Sequence, residues 1–267
     1  MPRANRHFVP DLVWHITHRC HERDFLLKFS RDRNSYLRWL YEARKRFGLC
    51  VLDYMVTSNH IHLLVKDTAE GVIARSMQLI AGRAAQDYNR RKARLGAFWE
   101  DRYHATAIES GAHLHRCVVY IDLNMVRAGV VKHPAEWPHS GYLEIQQPPE
   151  RYRVVDLLAL SELCGFDDIR EFQKAHREWV EAGSSPDTAR RDDRWSESIA
   201  VGSEGFVEQV KIALGFRAQH RQVAVADDLY TLREPVPPYG NHFDRENEAL
   251  RPNNTVPWQT NLETTEA

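Results

Sequence analysis

The run Leu49-Cys50-Val51-Leu52-Asp53-Tyr54-Met55-Val56 is followed by Thr57-Ser58-Asn59 and then by His60-Ile61-His62-Leu63-Leu64-Val65. Leu49 to Val56 and Ile61 to Val65 are rich in Val, Leu and Ile, which suit a pleated, half-buried surface, and the polar residues between them punctuate. The stretch reads as a β-hairpin. Residues i and i+2 of a strand point to the same face. His60 and His62 therefore stand side by side, while Ile61 and Leu63 enter the core. Two neighbouring imidazoles begin a divalent-metal site. Taken alone the His-apolar-His pattern is short, and surface or cross-strand histidines are its commoner meaning.

Upstream, Leu12 to His18 alternates Leu12, Trp14 and Ile16 with Val13, His15 and Thr17, the period of a half-buried strand. Ser30 to Phe47 carries Tyr36, Leu37, Leu40, Tyr41 and Phe47 at helical spacing, with Ser30 placed as an N-cap and Gly48 as a stop. Downstream, Val72 to about Arg91 forms a second helix with Ile73, Met77, Ile80, Ala81 and Ala84 on one face. His104 to Ile108 is a short strand. Glu109-Ser110-Gly111 then starts a third helix that runs to about Arg127 and is stopped by Gly129. The order strand, helix, strand, strand, helix, strand, helix predicts an α+β domain, an antiparallel sheet covered on one face by helices.

After Pro148-Pro149 the composition changes. Asp156 to Gly165, Ile169 to Ala182 and Phe206 to Leu214 read as helices, with Gly183-Ser184-Ser185-Pro186 as a loop. Beyond about Pro235, Pro, Asn and Thr accumulate without core-forming runs, the mark of a disordered tail. The expected organisation is a first, α+β domain over 1–147, a mainly helical accessory region over 148–234 and a disordered tail over 235–267.

The formal net charge of the 267 residues is -1, from 36 Lys/Arg and 37 Asp/Glu, which on its face argues against a polyanion binder. The charge is unevenly spread. Residues 1–147 hold 22 Lys/Arg against 15 Asp/Glu, a net of +7, and the remainder holds 14 against 22, a net of -8. Such asymmetry points to polyanion binding by the basic part. No apolar run approaches the roughly 20 residues needed to span a bilayer. Met1-Pro2-Arg3-Ala4-Asn5-Arg6 does not lead into the apolar stretch of a signal peptide. Cys20, Cys50, Cys117 and Cys164 are far apart and form no CxxC pair, so neither a zinc knuckle nor a disulfide framework is suggested. A reduced, cytoplasmic, nucleoid-associated protein is expected.

Two further segments carry chemistry. In Tyr120-Ile121-Asp122-Leu123-Asn124, Tyr120 and Asn124 lie one helical turn apart on one face. Asn124 can offer an amide oxygen to a metal and Tyr120 a phenol oxygen to a reaction centre; the bland alternative is a core aromatic and a helix-end amide. Tyr88-Asn89-Arg90-Arg91-Lys92, Arg94 and Phe98-Trp99-Glu100-Asp101-Arg102-Tyr103-His104 mix basic and aromatic residues. Basic groups hold phosphates and aromatic faces stack exposed bases. Arg127 and Lys132 are further phosphate contacts. His15, His18 and His21 cluster with Cys20, but strand geometry sets His15 and His18 on opposite faces, against zinc.

Together these motifs resemble the REP-associated tyrosine transposases, relatives of the single-strand insertion-sequence transposases within the HUH endonuclease superfamily. The resemblance rests on Asn59-His60-Ile61-His62-Leu63-Leu64, on Tyr88-Asn89-Arg90-Arg91, on Phe98-Trp99-Glu100-Asp101-Arg102-Tyr103, and on Tyr120-Ile121-Asp122-Leu123-Asn124-Met125-Val126-Arg127-Ala128-Gly129. It covers roughly residues 8 to 145. Met125 stands where the family usually has proline, and Trp137-Pro138-His139-Ser140-Gly141-Tyr142 follows the family's Trp-Ser-Ser-Tyr pattern only in part.

The resemblance implies a ferredoxin-like core, a divalent metal on His60 and His62, a nucleophilic Tyr120, and Asn124 as the polar residue completing the metal site. A hard cation that neutralises a non-bridging phosphate oxygen lowers the barrier to attack, and Mg²⁺ or Mn²⁺ suits imidazole and amide donors. Attack by Tyr120 would leave a 5′-phosphotyrosine and a free 3′-hydroxyl, conserving the bond for rejoining. The expected partner is single-stranded DNA folded into REP-like palindromic hairpins, contacted by Arg90, Arg91, Lys92, Arg94, Trp99, Arg102, Tyr103 and Arg127. A monomer and a homodimer are both compatible with the sequence. A catalytically silent hairpin-binding regulator, and a metallonuclease in which water attacks, are the alternatives.

Overall fold

The computed structural model describes residues 11–184, 192–218, 220–226 and 229–233. The tail expected over 235–267 and the far half of the loop expected at 183–186 lie outside the described residues. The basic portion builds β1 (Val13–Arg19), α1 (Ser30–Phe47), β2 (Cys50–Val56), β3 (His60–Lys66), α2 (Val72–Lys92), β4 (His104–Ile108), α3 (Ala112–Asp122), α4 (Asn124–Arg127) and α5 (Gly141–Gln146). The acidic portion adds α6 (Leu157–Leu163), α7 (Ile169–Gly183), α8 (Arg194–Glu197), β5 (Ala200–Gly202), α9 (Glu204–Leu214), β6 (Gln222–Ala226) and β7 (Leu229–Arg233).

The seven strands form one sheet in the order β2-β3-β1-β4-β5-β7-β6. Its first four strands have the ferredoxin-like order expected, each pair antiparallel. β5 then joins β4 in parallel, and β7 and β6 extend the sheet antiparallel. The accessory region is mainly helical, and these three strands are what its sequence did not announce. β5 has only three residues, too few to show a period.

The hairpin is closed by Thr57. Its hydroxyl donates to the His60 carbonyl (2.8 Å) and accepts from the backbone N–H of Asn59 (3.3 Å) and His60 (3.1 Å). Gly48 ends α1 at φ 70°, a left-handed conformation that glycine adopts without a Cβ penalty. α1 and α2 cover the face bearing Ile16 and His18: His18 stacks on Trp99 at 4.0 Å, and the Trp99 indole donates to the Ala81 carbonyl of α2 (3.0 Å). α3 lies over the opposite face, where the cross-strand register gathers His15, Thr17, His60 and His62.

The helix expected to run on to Arg127 breaks at Leu123 (φ -78°, ψ 3°). Leu123 is buried with Tyr142 and Val180, and seating it there re-aims the chain into the short α4. Behind the break, the Gln146 amide donates to His176 Nδ1 (2.8 Å) and His176 Nε2–H donates to Asp122 Oδ2 (2.8 Å), tying α3 to α5 and α7. Burial pushes the Asp122 carboxyl well up and pulls His176 down to about 3. All four cysteines are free thiols. Among the described residues no helix is long and apolar enough to cross a membrane.

Candidate active site and nucleic-acid interface

β3 presents His60 and His62 on the α3 face of the sheet, their ring centroids 4.9 Å apart. Tyr120, near the end of α3, comes down on them from above: its ring centroid is 6.0 Å from that of His62 and 6.1 Å from that of His15. Asn124, just beyond the break, places its amide nitrogen 3.0 Å from His62 Nε2. Residues separated by about 60 positions in the chain thus meet at one point. His60, His62, Tyr120 and Asn124 all line a cavity of about 620 Å³, together with Arg102, Tyr103 and Arg127.

The histidine tautomers follow from their partners. The Thr57 hydroxyl already donates to the His60 carbonyl, so His60 Nδ1–H is the donor in its 3.0 Å contact with that oxygen and in its 2.8 Å contact with Asn59 Oδ1. This leaves Nε2 of His60 with the lone pair. A ring whose second nitrogen is held by an acceptor is the arrangement metal-ligating histidines use. Asn124 carries its amide oxygen on the same carbon as the nitrogen that now meets His62, so either atom can face that point. Two imidazoles and an amide oxygen fit a borderline-to-hard divalent cation. Among the described residues no group of three or more His, Cys, Asp or Glu gathers as a metal site, so this three-ligand set depends on the amide.

Tyr120 is 8% exposed. The Arg127 guanidinium lies over its ring at 4.3 Å, and its NH2 group donates to the Tyr120 carbonyl. The buried indole of Trp195, from α8, packs at 6.3 Å on the same ring.

The expected DNA contacts divide. Arg102, Tyr103 and Arg127 are at the cavity. Arg90, Arg91, Lys92, Arg94 and Trp99 are at the α2 side of the sheet, each with local partners. Arg90 pairs with Asp87 (3.0 Å), Arg91 with Asp32, and Lys92 sits 5.4 Å over the Phe29 ring. Arg94 donates to the Ala97 carbonyl (2.8 Å), and Trp99 wedges between His18 and α2. The cavity wall also carries Glu100, Asp101 and Glu197 against Arg19, Arg102 and Arg127. The basic excess of the first 147 residues is therefore spread over the helices, not concentrated at this cavity.

Sequence reasoning weighed His15 only as a zinc ligand, and passed over Trp195. His15 is fully buried directly behind His62, and burial pulls it down to about 4. His18, its neighbour on the other face, is also held at about 4 by burial while donating from Nε2 to the Asp101 carbonyl (2.8 Å). A histidine whose folded pKa lies below its unfolded 6.5 costs stability as the pH falls through that window, because the unfolded chain takes the proton first. His18→Gln removes this cost. The urea midpoint of wild type should therefore fall relative to that of His18→Gln between pH 7 and pH 4. The relative loss should reach about 2–3 kcal/mol; parallel pH profiles for the two proteins would contradict it.

Residues 8–124 match the family model described as "Transposase IS200 like". No curated protein matches the chain. Among solved structures, the chain is 18% identical, at a TM-score of 0.44, to a REP-associated tyrosine transposase bound to a REP hairpin, over 58% of this chain and 94% of that one. It is 19% identical, at a TM-score of 0.31, to a crystal structure of a candidate transposase from Deinococcus radiodurans R1, over 39% of this chain and 84% of that one. Over residues 8–124, then, this chain is similar to the IS200-like transposases.

Proposed function

We propose that the protein cleaves and rejoins hairpin-containing single-stranded DNA through Tyr120, with His60, His62 and Asn124 holding a divalent cation, Mg²⁺ or Mn²⁺. The observation that carries this reading is the convergence of these four side chains on one cavity, with Asn124 and His62 at 3.0 Å. The cation, when bound, neutralises a non-bridging phosphate oxygen and so favours attack at phosphorus. Tyr120 Oη forms the new bond to phosphorus and gives up its proton. The P–O3′ bond breaks, the 3′-oxygen takes a proton, and the 5′-phosphate stays on the tyrosine. Arg127, stacked on the Tyr120 ring, would hold a positive charge beside the attacking group and the phosphate. The reverse reaction with a different 3′-hydroxyl rejoins the strand.

Arg102 and Tyr103 would flank the scissile segment, as cation and stacking face. Arg90 and Lys92 would extend the phosphate track beyond the cavity, while Arg91, Arg94 and Trp99 hold that corner in shape for it. Residues 1–147 supply the chemistry in this reading, and 148–234 support it. A REP-like palindromic hairpin is the expected substrate.

An end-labelled hairpin oligonucleotide incubated with the full-length protein and Mn²⁺ should yield a covalent protein–DNA adduct on a denaturing gel. His60→Ala should bind the same hairpin within about threefold and lose at least roughly 10²-fold of adduct formation. Cleavage without an adduct would replace this reading by hydrolysis, and binding without cleavage under either metal would leave a hairpin-binding regulator.

A further inference from the structure

We propose that the accessory region fixes the tautomer of His62: the Trp195 backbone carbonyl, acting through the ring of His15, leaves the lone pair of His62 on Nε2, which makes His15 a positioning residue of the metal site. The inference rests on the metal reading above for its purpose, but its geometry stands apart from it. His15 Nδ1 is 2.7 Å from the Trp195 carbonyl oxygen. A carbonyl can only accept, so Nδ1 carries the hydrogen. His15 Nε2 is 2.9 Å from His62 Nδ1.

A neutral imidazole has one N–H, and in His15 it is already used, so Nε2 accepts and His62 Nδ1–H donates. His62 Nε2 is then the lone-pair nitrogen, and the Asn124 amide N–H meets it at 3.0 Å. Donors and acceptors run in one direction along Asn124, His62, His15 and Trp195. The opposite direction needs a doubly protonated His15. That ring is fully buried, stacked on His62 at 5.1 Å, and its two nitrogens face a carbonyl and an imidazole and no carboxylate. An unpaired buried cation is strongly disfavoured.

The carbonyl that starts this chain is itself held in place. Just past α8, the Thr106 hydroxyl of β4 donates to the Ser198 carbonyl (2.6 Å), and the Ala107 N–H donates to the Ile199 carbonyl (2.8 Å). Joining β5 to β4 therefore seats Trp195 against both His15 and the Tyr120 ring. Metal competence and completion of the sheet are thereby coupled.

The test has two readouts on the full-length protein. Two-bond ¹⁵N–¹H correlation of the imidazoles, without added metal at pH 7, should show His15 and His62 protonated at Nδ1 and bare at Nε2. Mn²⁺ affinity, from the electron paramagnetic resonance signal of the free ion, should fall about 10- to 100-fold in His15→Leu, which fills the space and accepts nothing. In His15→Gln, whose amide oxygen can accept from His62 Nδ1–H, it should stay within about threefold. Wild-type binding in His15→Leu, or His62 protonated at Nε2 in the wild type, overturns the proposal. If His15→Leu does not fold, the Gln variant and the wild-type tautomers decide it. If the wild type takes up no Mn²⁺ at all, the metal reading fails, and the tautomer measurement still judges the relay.

Discussion

Tyr120→Phe should bind the hairpin within about twofold of wild type and form no detectable covalent adduct, a loss of at least roughly 10⁴-fold in strand cleavage. The reason is the separation of two roles in one side chain. The Tyr120 ring is a packing element, 8% exposed, with His15 and His62 below it, Trp195 at 6.3 Å and the Arg127 guanidinium at 4.3 Å. Phenylalanine keeps that ring and its quadrupole, so fold and cavity persist. Only the oxygen goes, and with it the atom proposed to become bonded to phosphorus. A melting temperature close to wild type would show that the loss is chemical. An adduct that survives in Tyr120→Phe would assign the nucleophile elsewhere. Undiminished cleavage without an adduct would make water the nucleophile and reduce Tyr120 to its packing role.

The hairpin was legible because its information is local. Thr57 to His62 carries the turn, the period of two and the histidine pair within six residues, and the closing hydrogen bonds join the same residues. The meeting of His62 with Asn124 is not local, and only resemblance to a family linked Tyr120 and Asn124 to the hairpin in advance. His15 shows where local reasoning stops. Its sequence neighbours suggested a histidine cluster, and strand period correctly set it opposite His18. Its contact with His62 depends on β1 pairing with β3 in one register, Thr17 opposite His62, which no spacing within β1 encodes. Trp195 gave less signal still. It sits on a four-residue helix, and its position is set by β5 adding to β4 through two paired residues, Ala200 and Val201. The run Gln222 to Ala226 alternates Val and Ala, too weak a pattern to declare a strand before its partner β7 is known.

A chain ended at Gln147 should fail to fold, although every proposed catalytic and metal-binding residue lies within it. Composition and charge both change at that position, yet the sheet does not end there. Removing the remainder strips β5 from β4, exposing Ala107 and Ile108, both buried in the intact sheet. It also takes away Trp195 from Tyr120, and the fully buried Leu160, Phe172 and Val180 from the layer that contains α3. His176 goes too, leaving Asp122 buried without its partner at 2.8 Å. Each fully buried large apolar side chain contributes about 1.5–3 kcal/mol. Losing Leu160, Phe172, Val180 and Trp195 together removes about 6–12 kcal/mol, as much as the roughly 5–15 kcal/mol that holds a domain together. The expected result is an insoluble fragment, or a soluble one without the cooperative melting transition of the full chain. A 1–147 fragment that melts cooperatively and binds hairpin DNA would show the opposite: that the basic portion is self-sufficient, and that the acidic portion merely leans on it.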